Sequence, residues 1–485
     1  MGRPFTELNW CRRWLPAFAL LVLLPGGVVR AQTPAEPGVE PLPRGVVIER
    51  VECGANPQQS YALYLPSAYT PERRWPILYI FDPAARGGVP VKLAHEAAER
   101  YGYVVAGSNN SQNGPPEPQQ EAAKAMWADT HARFSLDDRR VYVAGFSGGL
   151  RLATALALGC QGCVAGVIAH GAGLPAGAGP LSAVPFSYFA TVGDLDFNFP
   201  ELVRLSARFD ARGTPNRLRR FEGSHEWGPA PVWEEALAWL ELRAMKEGRR
   251  PRDAGFLAAY QTQAVERAQA REESGDLYAA AYEYRKLAED LRGLSDVSDF
   301  DRKAAELADS EPARRAREQE RKEIEQQEAW VEEMTAQLVA LEQTAPGSLA
   351  SLSPLSRLRE KGEELRGLVQ KAQTPQEAVV PRRTLSQLLA LAYETGQEGL
   401  RTGSPARAAV YFQVMTYLAP DAPFPFYHLA RAYARAGNQQ HALWALQQAV
   451  EKGFTNVAAL KATAEFASLQ QAKEFQEILQ RLAPP

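Results

Sequence analysis

Apolar residues run along this chain in two rhythms, which change over near residue 250. Before that point, short apolar runs alternate with amphipathic or small-residue stretches. Gly45–Glu52 and Tyr61–Leu65 are short strand candidates. Trp75–Phe81 is apolar throughout, as strands buried on both faces of a parallel sheet are. Tyr101–Ala106, Arg140–Phe146, Ala165–Ala169 and Phe186–Val192 have the same character. Between them, Val91–Arg100, Pro118–Ala132, Gly149–Leu158 and Pro200–Ala211 read as helices, and Val232–Lys246 as a closing amphipathic helix. This alternation predicts an α/β domain over residues 45–248, a sheet with helices on both faces.

After residue 250 the strand signal stops and the period becomes helical. Residues 250–345 predict a helical hairpin and a long charged helix. In Glu311–Glu333, 13 of 23 residues are charged. Ile324, Val331 and Leu338 are spaced by seven, as are Gln327, Met334 and Leu341, a coiled-coil-like seam too short for a firm heptad reading. A long helix packed on its own chain is the preferred expectation. Pro354, Pro375 and Pro381 punctuate the stretch beyond it. Residues 346–485 predict helical repeats. Gly403 and Gly437 are 34 residues apart, and Leu429, Ala430, Tyr433, Ala442, Leu446 and Ala449 recur around the second as Gly396, Ala408, Phe412 and Met415 do around the first. A weaker copy holds Ala268, Gly275, Ala280, Tyr284 and Leu287. Small residues let antiparallel helices approach, and the glycine caps the first helix at the turn. The spacing resembles the tetratricopeptide repeat, which implies a surface for a protein or peptide partner.

The N-terminus has a basic start (Arg3, Arg12, Arg13), an apolar run Leu15–Leu24 and the small-residue site Val29-Arg30-Ala31. It reads as a signal peptide over residues 1–31, cleaved after Ala31, with a Pro-rich lead-in over 32–44. The mature protein is therefore expected outside the cytoplasm, periplasmic or extracellular, with no integral membrane domain. Composition narrows the classes further. With 54 Lys+Arg against 57 Asp+Glu and a net charge of −3, there is no basic footprint for nucleic acid. Four cysteines in 485 residues exclude a disulfide-dense scaffold. Cys160-Gln-Gly-Cys163 is expected as a local disulfide or two buried thiols, and Cys53 has no obvious partner. No Cys/His set has zinc spacing.

The candidate chemistry lies in the first part. Gly145-Phe146-Ser147-Gly148-Gly149 ends an apolar strand and opens a small-residue helix, the strand–turn–helix context that gives G-x-S-x-G its meaning. A serine hydroxyl needs a base. His225, in Gly223-Ser224-His225-Glu226-Trp227, follows the last strand region and precedes the closing helix. His170 comes too early in the chain and is expected in the core or behind the site. The acid is expected in the turn Gly193-Asp194-Leu195-Asp196, with Asp196 preferred and Asp194 the rival. An oxyanion hole needs two N–H groups. Gly148 is expected to give one. The loop Asp82-Pro83-Ala84-Ala85-Arg86-Gly87-Gly88 is expected to give the other, from Ala84 or alternatively Ala85, because proline has no N–H. Phe146, Trp127 and Trp227 are candidates for the acyl pocket.

With these motifs, Tyr61–Pro66, Trp75–Tyr79 and Asp137–Ser147 resemble the α/β-hydrolases over about two fifths of the chain. The branch is that of small secreted carboxylesterases, with polyhydroxybutyrate-depolymerase-like and feruloyl-esterase-like enzymes. The resemblance implies an acyl-serine intermediate hydrolysed by water, with no metal or organic cofactor, acting on a small-molecule or polymer ester. Asp82-Pro83 stands where the family usually has His-Gly. A serine peptidase or a thioesterase with the same triad, and a degenerate hydrolase acting as a protein-binding module, are the rival readings.

Overall fold

The computed structural model describes residues 42–160, 162–175, 177, 184–344 and 349–482. The expected signal peptide lies outside the described residues, as does all but the last part of the lead-in. The chain divides into two compact units. One comprises residues up to Asp194 together with Glu201–Arg314. The other comprises Leu195–Pro200 together with the residues from Arg315 onward.

The first unit is built on an eight-stranded sheet: β1 Val47–Cys53, β2 Asn56–Tyr64, β3 Trp75–Phe81, β4 Val104–Ser108, β5 Leu136–Phe146, β6 Gly166–His170, β7 Ser187–Gly193 and β8 Asn216–Phe221. Their spatial order is β1-β2-β4-β3-β5-β6-β7-β8. β1 pairs antiparallel with β2, and β2 with β4; every later pairing is parallel. This is the α/β-hydrolase arrangement of a mostly parallel sheet with flanking helices. Four helices lie between strands, α1 Gly88–Tyr101, α2 Pro116–Arg133, α3 Gly148–Gly159 and α4 Phe199–Asp210, and α5 Ala230–Lys246 follows the last strand. β3 is buried at every position. Leu78 and Ile80 join the core on one face, packed with Val91 and Ala94 of α1 and with Trp233 and Leu237 of α5.

β8 carries no apolar run, which is why its sequence gives no strand signal. Three of its six residues are arginine. It is an edge strand, and its Arg217 and Arg219 are paired with carboxylates. Arg217, buried, donates to Asp290 at 2.9 Å and to Glu283 at 3.2 Å, and Arg219 reaches Glu283 at 2.8 Å. Both carboxylates stand on α7 (Leu277–Leu291), the partner of α6 (Ala254–Glu273). Asp290 also accepts from Trp239 Nε1 and the Tyr260 hydroxyl. Inward-facing charge on an edge strand discourages edge-to-edge pairing. The same ion cluster ties α6 and α7 to the sheet. The first unit therefore continues beyond residue 248, through α8 (Ser298–Asp309), and ends in the first turn of the next helix.

The second unit is helical. α9 (Glu311–Glu342) places Met334, Leu338 and Leu341 in one core with Leu358 and Leu365 of α10 (Leu349–Lys371) and Leu388 of α11 (Val379–Arg401). It is a long helix packed on its own chain. Pro354 lies inside α10, while Pro381 sits in the first turn of α11, where a missing N–H costs least. Then come α12 Pro405–Leu418, α13 Pro423–Arg435, α14 Gln439–Glu451, α15 Val457–Ala462 and α16 Lys473–Leu482. Gly403 and Gly437 both take φ +76°, between α11 and α12 and between α13 and α14, and Gly275 takes φ +80° between α6 and α7. A left-handed residue after a helix is the glycine cap. Ala408, Phe412, Leu429, Ala430, Ala442 and Leu446 are buried in the same core. No helix of the described residues is long and apolar enough to cross a membrane.

Candidate functional site

Ser147 sits between the end of β5 and the start of α3, with φ 51° and ψ −123°. A non-glycine residue there is strained, and such strain persists only where the surroundings over-determine it. Here they do. Its N–H donates to the His170 carbonyl at 3.0 Å, and its own carbonyl accepts from Leu150 N at 3.1 Å and Arg151 N at 3.3 Å. Glycine is needed on both sides of the turn. A Cβ on Gly145 would lie 2.5 Å from Leu150 N, and one on Gly149 would overlap the Phe81 carbonyl oxygen. The motif is thus a close crossing of strand and helix that holds one strained serine at the C-terminal edge of the sheet.

His225 lies in the loop between β8 and α5. Its Nε2 is 2.9 Å from Ser147 Oγ. The Phe146 ring packs against the imidazole, with centroids 4.6 Å apart. The loop is fixed just beyond the histidine: Trp227 Nε1 donates to Asp82 Oδ2 at 2.9 Å, and Gly228 N–H donates to His170 Nδ1 at 3.3 Å. His170 is a core residue. It is buried under Trp227 and Trp233, with ring centroids at 5.0 Å and 4.5 Å. Burial pushes its pKa down to about 3, so the ring stays neutral. Nδ1 also meets the Thr191 hydroxyl at 2.7 Å. His170 thus supports both the serine turn, through its carbonyl, and the histidine loop, through its ring.

The two acid candidates differ in environment. Asp194 is exposed, and its N–H donates to the Phe221 carbonyl at 2.9 Å. Asp196 is fully buried, and its Oδ1 accepts the Asn198 N–H at 2.8 Å. Both follow β7 at its C-terminal end.

The loop after β3 departs from expectation. Asp82 is fully buried, and its carboxylate gathers the donors around it. Ala84 N–H reaches Oδ1 at 2.8 Å and Arg86 N–H the same oxygen at 3.3 Å, while the Arg86 guanidinium binds both oxygens. Ala85 N–H donates to the Asp82 carbonyl at 3.0 Å, and Ala85 itself has φ 57°. Burial would raise the Asp82 pKa. Hydrogen bonds from Arg86, Trp227 and Ala84 outweigh it, and the carboxyl is held below its ordinary value. Ala84, expected as an oxyanion donor, and Ala85, its alternative, both direct their amides at Asp82. The Gly148 N–H stands at the first turn of α3, where a helix offers it no acceptor.

The three aromatic candidates separate. Phe146 and Trp227 pack together beside His225, centroids 5.5 Å apart. Trp127, on α2, stacks between Tyr79 and His131 instead. It lines a small apolar cleft with Phe81, Val143, Leu156, Cys160 and Cys163. Cys160 and Cys163 are joined as a disulfide. Cys53 is a buried free thiol, pushed up to about 11 by burial and then by the nearby Asp129, which makes it inert as a nucleophile. No group of three or more His, Cys, Asp or Glu side chains among the described residues could hold a metal ion.

No family model matches the chain. No curated protein matches it either. Among solved structures, an S-formylglutathione hydrolase from Staphylococcus aureus is similar at 12% identity, over 38% of this chain and 90% of that one, with a TM-score of 0.29. An esterase from Mycobacterium marinum is similar at 19% identity, over 42% and 82% of the two chains, with a TM-score of 0.33. A feruloyl esterase module from Clostridium thermocellum is similar at 13% identity, over 39% and 86%, with a TM-score of 0.32. These are likenesses of fold.

Proposed function

We propose that this chain is a serine hydrolase that cleaves carboxylic esters through an acyl-Ser147 intermediate. The observation that carries the reading is the 2.9 Å contact of His225 Nε2 with the hydroxyl of a strained Ser147. Ser147 Oγ attacks the ester carbonyl carbon while His225 Nε2 takes its proton. The Gly148 amide donates to the oxygen that gains charge. Collapse breaks the ester C–O bond, and the alcohol leaves with the proton from His225. Water then repeats the sequence on the acyl-enzyme, His225 taking its proton, and the acid departs. Asp196 is our choice for the residue that orients the imidazole and stabilises its cation. Its burial and its place after β7 support it over the exposed Asp194. Phe146 and Trp227 form the wall beside the reacting serine. The Cys160–Cys163 disulfide supports export to an oxidising compartment. The helical second unit is assigned to a protein or peptide partner.

Labelling of the mature protein with a fluorophosphonate probe tests this reading. The wild type should label, and Ser147→Ala and His225→Ala should not. A folded wild type that fails to label would overturn it. One observation favours a second reading, a degenerate hydrolase that serves as a binding module: both expected amides of the 82–88 loop are engaged by Asp82. A wild type that neither labels nor turns over aryl esters would select that reading.

A further inference from the structure

A stabilised oxyanion needs more than the Gly148 amide, and the Ala84, Ala85 and Arg86 amides of the loop after β3 are directed at Asp82. A different group stands beside Gly148. Asn113 lies in the loop between β4 and α2, and its N–H is anchored on the Pro83 carbonyl at 2.7 Å. Its side-chain amide packs against Gly148: a Cβ on Gly148 would overlap Asn113 Oδ1 and lie 2.6 Å from Nδ2. The residue after the nucleophile is thus glycine in the very place where an asparagine amide fills the room of a side chain. Asn113 is exposed, and its amide makes no hydrogen bond to another described residue. A half-turn about its terminal torsion exchanges Oδ1 and Nδ2 without breaking any such bond.

We propose that Asn113 is a catalytic residue of this hydrolase. Its Nδ2–H donates to the substrate carbonyl oxygen as that oxygen becomes negative, alongside the Gly148 N–H. A side-chain amide is chemically equal to a backbone amide in this task, provided it is placed before the reaction begins. The Pro83 carbonyl supplies that placement, because it fixes the backbone from which the amide hangs. The Asp82-Pro83 loop thereby keeps a role at the site: it positions the donor instead of being one.

The proposal rests on Ser147 being the nucleophile, and the test separates the two. The mature full-length protein is assayed on p-nitrophenyl acetate, with a trifluoromethyl ketone as the mimic of the tetrahedral adduct. Asn113→Ala should lower kcat by about 10²–10³-fold. It should weaken the ketone by a similar factor, change KM by less than about threefold and leave Tm unchanged. Asn113→Asp, of the same shape but with no donor at neutral pH, should lose as much. Ser147-dependent turnover that survives in Asn113→Ala at near wild-type kcat would overturn the proposal and leave the nucleophile assignment standing. So would a loss shared between a lower Tm and a higher KM, with ketone affinity kept, because that is the mark of loop packing alone. A wild type with no Ser147-dependent turnover would overturn both.

Discussion

Two turns of the first unit make an instructive pair. Both follow buried strands at the C-terminal edge of the same sheet, and both lead into a helix. Each holds one non-glycine residue in left-handed backbone, Ser147 at φ 51° and Ala85 at φ 57°. Their hydrogen bonds run in opposite senses. At Ser147 the backbone is satisfied by His170 and α3, and the hydroxyl meets His225. At Ala85 the N–H goes to the Asp82 carbonyl, and the neighbouring Ala84 and Arg86 amides go to the buried Asp82 carboxylate. Strain by itself therefore does not mark a reactive position. What distinguishes the two turns is whether the strained residue carries a side-chain group that meets a possible base.

The largest effects should fall on the serine turn. Ser147→Ala and His225→Ala are each expected to lower kcat on an activated ester by up to about 10⁶-fold, with circular dichroism and Tm close to wild type. Retention of even a hundredth of the activity in either variant would remove the basis of the contrast. Asp82→Ala should act on stability. It leaves Trp227 Nε1 and the Ala84 N–H without their acceptor and is expected to cost about 1–3 kcal/mol in urea unfolding. A loss of labelling in this variant greater than that of Asn113→Ala would mean that the 82–88 turn takes part in chemistry directly.

A pH series sharpens the same point. The Asp82 carboxyl is held below its ordinary value of 3.8 in the folded protein. Its contribution is fully present above that value and is lost as pH falls through the lower folded one. Asp82→Asn should therefore lose stability less steeply below pH 3.8 than wild type does. Parallel acid limbs in the two proteins would contradict this. The smallest effect is expected at Ala85. Glycine there relieves left-handed strain but gains freedom in the unfolded chain, so Ala85→Gly should change stability by no more than about 1 kcal/mol. It should leave labelling intact. Ser147→Gly, the same backbone change in the other turn, should abolish labelling.

The sheet was legible because parallel strands buried on both faces are written as apolar runs, and β3 and the end of β5 are such runs. The strand bounds shift by a few residues, since the ladder and not side-chain polarity ends them. β8 was illegible for the opposite reason. Arg217 and Arg219 read as surface until Glu283 and Asp290, more than sixty residues on, are brought against them. The end of the first unit beyond residue 248 was missed with it, because the same ion cluster holds α6 and α7 to the sheet. At the site, Ser147 and His225 could be singled out as a pair because a tight strand–helix turn needs small neighbours and the histidine loop follows the last strand; the structure brings the two within 2.9 Å. Trp127 could not be separated from Phe146 and Trp227 by sequence, since an aromatic residue does not disclose which cluster it joins. Asn113 carried no signal at all: a lone asparagine in a polar loop is ordinary.

What the sequence determined by itself was local and periodic. The change of rhythm near residue 250, the buried strands, the glycine turns at Gly275, Gly403 and Gly437, and the serine turn all arise from the conformations that single residues and short patterns allow. What only the tertiary structure decided was which polar groups are already satisfied. Ala84 and Ala85 look available as donors until Asp82 is seen buried beneath them, and Asn113 looks idle until its amide lies on Gly148. A hydrogen bond depends on where two groups meet in space, and sequence distance carries almost no record of that.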